Sequence, residues 1–307
     1  MNAHVQIAIT AGLVATACGL LGPFLVLRRA ALMGDAVSHA VLPGIVAVYL
    51  VFHSRAPVPV VIGAGLFAIV CVLLTDAIRA SGLVKGDAAI GLVFPMLFSL
   101  GVLGVTAFAS NVHLDLDSTI YGEIAFTPFR TTDLFGLAVP TAALVVGAVA
   151  VVNLALVVAL WKEIKVTTFD PEFAKTIGRS PSLLSRILLI ATAITAVSAF
   201  ESVGAILVVT MLIVPAATAY FLTDRLLVMV VLTVAIGWLS ALAGQWTAVR
   251  MDASIAGAMG MVATACFVIA LIVAPRYGLA GRWVRRRRAR AAWASEGFVE
   301  TEPNAGP

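Results

Sequence analysis

Charge is what this sequence has least of. Asp, Glu, Lys and Arg make up 12% of its 307 residues, about half the share found in an ordinary soluble domain. So few charges cannot clothe a water-soluble surface when 61% of the residues are hydrophobic and the mean hydropathy is +1.07. Cysteine is scarce too: Cys18, Cys71 and Cys266 all lie in apolar runs, none in a C-x-x-C spacing. That argues against a disulfide framework or structural zinc site and leaves them as small hydrophobes. There is no G-x-x-x-x-G-K-[ST], so the chain is not expected to bind ATP through a P-loop, and neither H-E-x-x-H nor G-x-S-x-G occurs. Enzymatic readings therefore lack a site, and this chain is expected to be no enzyme.

What the sequence does have is apolar runs, at about 5–27, 34–52, 57–79, 88–110, 133–161, 183–200, 202–223, 226–248 and 253–275. Each is near the ~20 residues that a helix needs to cross a bilayer core. Lipid offers no hydrogen bonds, so only helices and closed barrels span it, and barrel strands would alternate apolar with polar over about ten residues. The expected fold is all-α, a polytopic transmembrane bundle of about nine spans. The first run has no basic segment before it and no cleavage site after it, so it is expected to be a retained helix.

The formal charge of +4 is concentrated in short stretches, so it speaks of topology before it speaks of acidic partners, and nucleic acid is not an expected one. Arg28 and Arg29, Arg79 and Lys85, the stretch from Lys162 to Arg186, Arg225 and the tail from Arg276 all fall on one side if the spans alternate. The positive-inside rule makes that side cytoplasmic, with the N-terminus outside and the C-terminus inside. Between 183 and 223, Ser198 to Ser202 is expected to form a tight turn or to separate two short helices. Asp76 and Arg79 are expected to form a local helix-end pair or remain solvated. His4 and His53 read as surface residues.

The residues divide into a permease domain, 1–280, and a basic then polar tail, 281–307, expected to be disordered and, through its arginines, attracted to anionic lipid. Within the former, 162–186 is too polar to be a mere turn. Asp170 reads as an N-cap, Pro171 as the first helical residue and Gly178 as a stop, which predicts a short helix on the cytoplasmic surface.

The second run opens G-D-A-V-S-H-A-V-L-P-G (34–44). Asp35 and His39 stand four apart and so share a helix face. Pro43 lacks an N–H and leaves the carbonyl of residue 39 without its usual partner. Ala36, Ala40 and Gly44 form a small-residue ridge for close helix approach. Mixed oxygen and nitrogen donors suit manganese, iron or zinc, and two or three donors make a weak site from which an ion can leave. The alternative is an Asp–His hydrogen bond that locks helices together; the cost of ionisable residues in lipid favours the path. His113, Asp115, Asp117 and Glu123 in the outer loop are candidate outer-mouth residues that attract cations or dock a delivery protein, or else plain solvated charges. Glu201 is a candidate entrance carboxylate or a hydrogen-bonded loop residue.

Five blocks in order carry a family resemblance: L-R-R-A-A-L-M-G-D-A-V-S-H-A-V-L-P-G (27–44), G-D-A-A-I-G-L-V-F (86–94), D-L-D-S-T-I-Y-G-E-I (115–124), D-P-E-F-A-K-T-I-G (170–178) and V-G-A-I-L-V-V-T-M-L-I-V-P-A-A-T-A (203–219). The chain resembles the metal-type permeases of ABC importers for manganese, zinc and iron (the ABC-3 family), whose type II architecture is similar to that of the vitamin B12 and siderophore permeases. The resemblance implies a multi-pass protein of the bacterial cytoplasmic membrane that pairs with a second copy or a related permease. It also implies separate ABC ATPase subunits and an extracytoplasmic metal-binding lipoprotein as partners, with no permanently bound cofactor and the metal held only in transit. Asp35 and His39 match the family's metal-path residues. Asp170, Pro171, Glu172, Phe173, Ala174 and Gly178 match its ATPase-coupling helix. Glu201 departs from the Gln often found there, and D-A-S-I-A-G from Asp252 departs from the family's Asp-x-Pro-Ser/Thr-Gly. The alternatives are import of a metal chelate or vitamin-like molecule, and an ATP-independent metal channel or carrier.

Overall fold

The computed structural model describes residues 3–52, 57–84, 86–108, 124–134, 137–274 and 278. His53, the outer-loop residues His113, Asp115, Asp117 and Glu123, and the tail 281–307 lie outside the described residues, as do the side chains of Ser38 and Glu201.

In chain order the elements are α1 (Ala3–Leu27), α2 (Leu32–Ala40), α3 (Leu42–Phe52), α4 (Pro57–Ala80), α5 (Gly86–Phe108), a 3-10 turn (Ile124–Phe129), β1 (Thr131–Leu134), β2 (Leu137–Pro140), α6 (Thr141–Ala159), α7 (Trp161–Phe169), α8 (Pro171–Thr176), α9 (Pro181–Val203), α10 (Ala205–Leu222), α11 (Leu226–Met251) and α12 (Ile255–Val273). Among the described residues nine helices are long and apolar enough to cross a membrane, with α2 and α3 together making the second.

Three boundaries differ from those expected. The run 133–161 does not begin as helix: Thr131–Leu134 pairs antiparallel with Leu137–Pro140, and α6 starts at Thr141. A run near thirty residues exceeds what one span needs, and its first part folds back as a hairpin whose Ala138 carbonyl accepts the Gln6 side-chain amide at 3.1 Å. No turn occurs at Ser198–Ser202, which lie inside α9; the chain breaks at Gly204, whose φ of 79° is one that glycine tolerates without strain. The polar stretch 162–186 holds two short helices, α7 and α8, and its last residues already belong to α9. That helix starts at Pro181 behind Ser180, whose hydroxyl accepts the Leu183 N–H at 3.3 Å.

The bundle is arranged around α1, which is buried along most of its length against α6, α9, α10 and α11, whereas α12 is largely exposed. Helices in lipid gain nothing from leaving water, so close contact and interhelical hydrogen bonds must hold them. Both are present. The Trp238 indole of α11 lies over Gly12, in space that a side chain would fill, and donates to Thr16 Oγ1 at 2.9 Å. Asn153 of α6 donates to the Ala17 carbonyl at 3.2 Å and to Thr195 Oγ1 of α9 at 2.8 Å, joining three helices from a buried position. Gln245 of α11 donates to the His4 carbonyl at 2.7 Å, while the His4 side chain is exposed, as expected.

Asp76 pairs with Arg186, bringing α4 and α9 together, and not merely with a neighbour on its own helix. Hydropathy marks both as span-end residues but cannot say which ends meet. Cys18 and Cys71 are buried free thiols and Cys266 is part-buried.

Candidate metal path and coupling segment

The second span is divided at Val41, two residues before Pro43. Pro43 cannot donate to the His39 carbonyl, so the ladder is interrupted at Val41. Val41 keeps helical angles (φ −69°, ψ −33°) and its carbonyl accepts the N–H groups of both Gly44 (3.0 Å) and Ile45 (3.1 Å). The helix therefore kinks without ending.

Asp35 and His39 lie on one face of α2, with His39 Nε2 3.8 Å from Asp35 Oδ1. That separation is an ion-pair distance, longer than a hydrogen bond. His39 is 43% exposed and Asp35 55% exposed in the single chain. Donors so open within a span face water, an ion or another chain more readily than hydrocarbon. Among the described residues no three His, Cys, Asp or Glu side chains gather into a metal-holding group. Among the described residues the pair therefore brings two side-chain donors together and no third.

The surroundings of the pair come from α5. The His39 ring lies 5.1 Å from that of Phe94, tilted by 46°, and 5.8 Å from that of Phe98, edge-on at 87°. Sequence reasoning missed these two. Their spacing of four on one helix was visible, but within an apolar run it looks like ordinary packing.

The small-residue ridge behaves as its composition suggests. Ala36 and Ala40 are buried, and Gly44 meets Gly63 of α4 where neither has room for a side chain. Gly101 of α5 sits against Leu42 and Pro43, with a Cβ there only 2.9 Å from either. Glu201 belongs to the last turn of α9, and its side chain lies outside the described residues.

At the other candidate site, the Asp170 carboxylate accepts the Phe173 N–H at 2.9 Å and Pro171 opens α8. At the far end Gly178 takes φ 76°, its N–H bonds the Lys175 carbonyl at 3.0 Å, and the Arg179 N–H bonds the Ala174 carbonyl at 2.9 Å. That is a Schellman stop, so both ends of a six-residue helix are satisfied. Ala174 is buried beneath it, Glu172 pairs with Lys175 at 2.9 Å, and Arg179 reaches back to Glu163 of α7 at 3.2 Å. Phe169, Phe173 and Ile177, spaced by four, are each half exposed or more. Of these three, only Phe173 was marked in advance.

Nine apolar spans among the described residues make this a polytopic helical membrane protein. The chain belongs to the ABC 3 transport family, which it matches over residues 1–274. It is 40% identical over 286 residues to the manganese transport system membrane protein MntD of Bacillus subtilis, covering 93% of this chain and 97% of that one. It is likewise 40% identical over 277 residues to the zinc transport system membrane protein TroD of Treponema pallidum, covering 90% of this chain and 76% of the relative. Among solved structures it resembles PsaBC from Streptococcus pneumoniae in complex with Fab, with a TM-score of 0.74 and 28% identity over 92% of this chain and 94% of that one.

Proposed function

We propose that this chain is the membrane-spanning permease subunit of an ATP-driven ABC importer, carrying a divalent transition metal ion, manganese, zinc or iron, across the cytoplasmic membrane into the cell. The observation that carries this reading is the Asp35–His39 pair, two oxygen and nitrogen donors half exposed on one face of a kinked span. Membership of the ABC 3 transport family supports it, and so do relatives whose names specify manganese and zinc. A carboxylate and an imidazole satisfy all three metals, so selection among them falls to whatever delivers the ion.

In this mechanism two permease chains, identical or related, line a common path and each supplies Asp35 and His39 as transient ligands. An extracytoplasmic metal-binding lipoprotein docks on the outer loops, with Asp115, Asp117, Glu123 and Glu201 near the entrance. Separate ATPase subunits bind from the cytoplasm against α8, with Phe173 and its apolar neighbours as the contact. ATP closure of that pair displaces α8 as a rigid body, and the path then opens inward. The tight Gly44–Gly63 contact beside the donors favours a bare ion over a bulky chelate.

Metal uptake by the complex reconstituted in liposomes is the test. Uptake that depends on ATP and is lost in Asp35→Ala and His39→Ala, with expression unchanged, is expected. ATP-independent uptake by the lone chain would defeat the proposal, and transport unaffected by either substitution would remove the ligand role.

A further inference from the structure

Arg28, the first residue beyond α1, donates from Nε to Thr168 Oγ1 at 3.1 Å and from a terminal nitrogen to Thr167 Oγ1 at 2.8 Å. Both hydroxyls have already given their single proton within α7, Thr167 to the Glu163 carbonyl at 2.8 Å and Thr168 to the Ile164 carbonyl at 2.6 Å. Each is left able only to accept, and a guanidinium, which only donates, is the complement. Burial pushes the Arg28 pKa down to about 10, so the group remains charged at neutral pH.

What lies on either side of this clasp gives it significance. On one side α7 leads into α8, and the Glu163–Arg179 ion pair closes the chain after α8 back onto α7. The Trp161 ring, at the start of α7, also stands edge-on to Phe24 of α1, with centroids 6.4 Å apart. On the other side only residues 28–31 separate α1 from α2, and they are not slack. Arg29 takes a left-handed φ of 55°, and the Ala30 N–H bonds the Leu25 carbonyl at 2.9 Å. The Met33 N–H then bonds the Ala30 carbonyl at 3.0 Å, and the helix that begins there carries Asp35 and His39. A left-handed arginine is strained, and persists because the flanking bonds fix it.

We infer that Arg28 is a positioning residue of the transport cycle: it couples displacement of the α7–α8 segment to the turn that orients the Asp35–His39 helix. The inference rests on the importer reading. A bidentate charged clasp transmits motion where a flexible loop would absorb it, and the four-residue turn leaves no slack between the clasp and the donors.

The test uses the permease together with its ATPase in proteoliposomes, reading metal uptake and ATP hydrolysis side by side. Arg28→Gln removes the donor fork. The double change Thr167→Val and Thr168→Val removes the acceptors while keeping side-chain shape, which preserves the fold should Arg28→Gln not. Uptake per ATP hydrolysed is expected to fall about tenfold in each, the scale of a lost charged hydrogen bond, while the ATPase still co-purifies. Combining all three changes should be no worse than either alone, because they delete one contact. A ratio within about twofold of the parent in the valine variant, or loss of the ATPase from the complex, overturns the inference. Failure of the unaltered complex to move metal would instead overturn the importer reading, and that result does not involve the variants.

Discussion

Gly44 of α3 and Gly63 of α4 face each other so closely that a Cβ added to Gly44 would lie 2.7 Å from the carbonyl carbon of Gly63. Backbone-to-backbone approach of this kind holds the kinked span against its neighbour where lipid offers no driving force. Gly44→Ala is expected to push the helices apart and cost roughly 1 to 3 kcal/mol, lowering the melting temperature in detergent. Gly65→Ala of α4, where a Cβ meets nothing within 4 Å, is the control and should leave it unchanged or slightly raised.

Asp35 and His39 are half exposed. Asp35→Asn is therefore expected to leave expression and melting temperature intact, and His39→Gln to lower the latter only by its ring contacts with Phe94 and Phe98, while each reduces metal uptake about tenfold or more, since it replaces one of two donors with a weaker amide oxygen. Uptake in cells made dependent on this importer checks it. A loss of stability in place of uptake would reassign the pair to helix locking.

The caps of α8 make a separable prediction. Asp170→Ala deletes the bond to the Phe173 N–H and should cost about 1 kcal/mol of local helix stability. Gly178→Ala forces a side chain onto φ 76°, at about 1 kcal/mol. Both should loosen α8 and lower the ATPase recovered with the purified permease. Phe173→Ser should do so without touching the caps, because it removes only exposed apolar surface; equal recovery in all three would exclude α8 from the docking surface.

The contrast between α8 and the rest shows which features were legible in the sequence. Asp170, Pro171 and Gly178 act on backbone within a few residues, so their roles were readable in order along the chain. The spans were readable because lipid demands a minimum apolar length, and Pro43 because a missing N–H is a local fact. Partners across the bundle were not. Asp76 meets Arg186 across 110 positions, and Arg28 reaches Thr167 across 139; only the packing of helices decides such pairs. The β1–β2 hairpin escaped notice because its apolar residues merge with those of α6 into a single hydrophobic run.

Asn153 was likewise indistinct, a single polar residue in α6. It bridges the Ala17 carbonyl and Thr195 Oγ1 from a site only 2% exposed. Asn153→Ala should destabilise the bundle by roughly 0.6 to 2 kcal/mol, the range for interhelical bonds in membranes. The melting temperature should fall while metal uptake per ATP stays at the parent value. A changed ratio would show that Asn153 belongs to the transport machinery and is not purely structural.

Phe94 and Phe98 set the last expectation. Their rings bracket the His39 imidazole at 5.1 and 5.8 Å, and contacts of this geometry are worth about 0.5 to 1.5 kcal/mol beyond area alone. A ligand that must bind and release an ion works best when its orientation is preset, because the cost of ordering it is then not taken from the binding energy. Phe98→Leu keeps an apolar side chain but removes the edge-on ring, freeing the imidazole to rotate. The metal concentration giving half-maximal uptake should therefore rise, by up to about tenfold for 1.4 kcal/mol, while the maximal rate is kept. Phe98→Tyr, which retains the ring, should stay near the parent value. If Phe98→Leu lowers the melting temperature and leaves half-saturation where it was, the two rings serve packing alone and the orientation of His39 must be set by α2 itself.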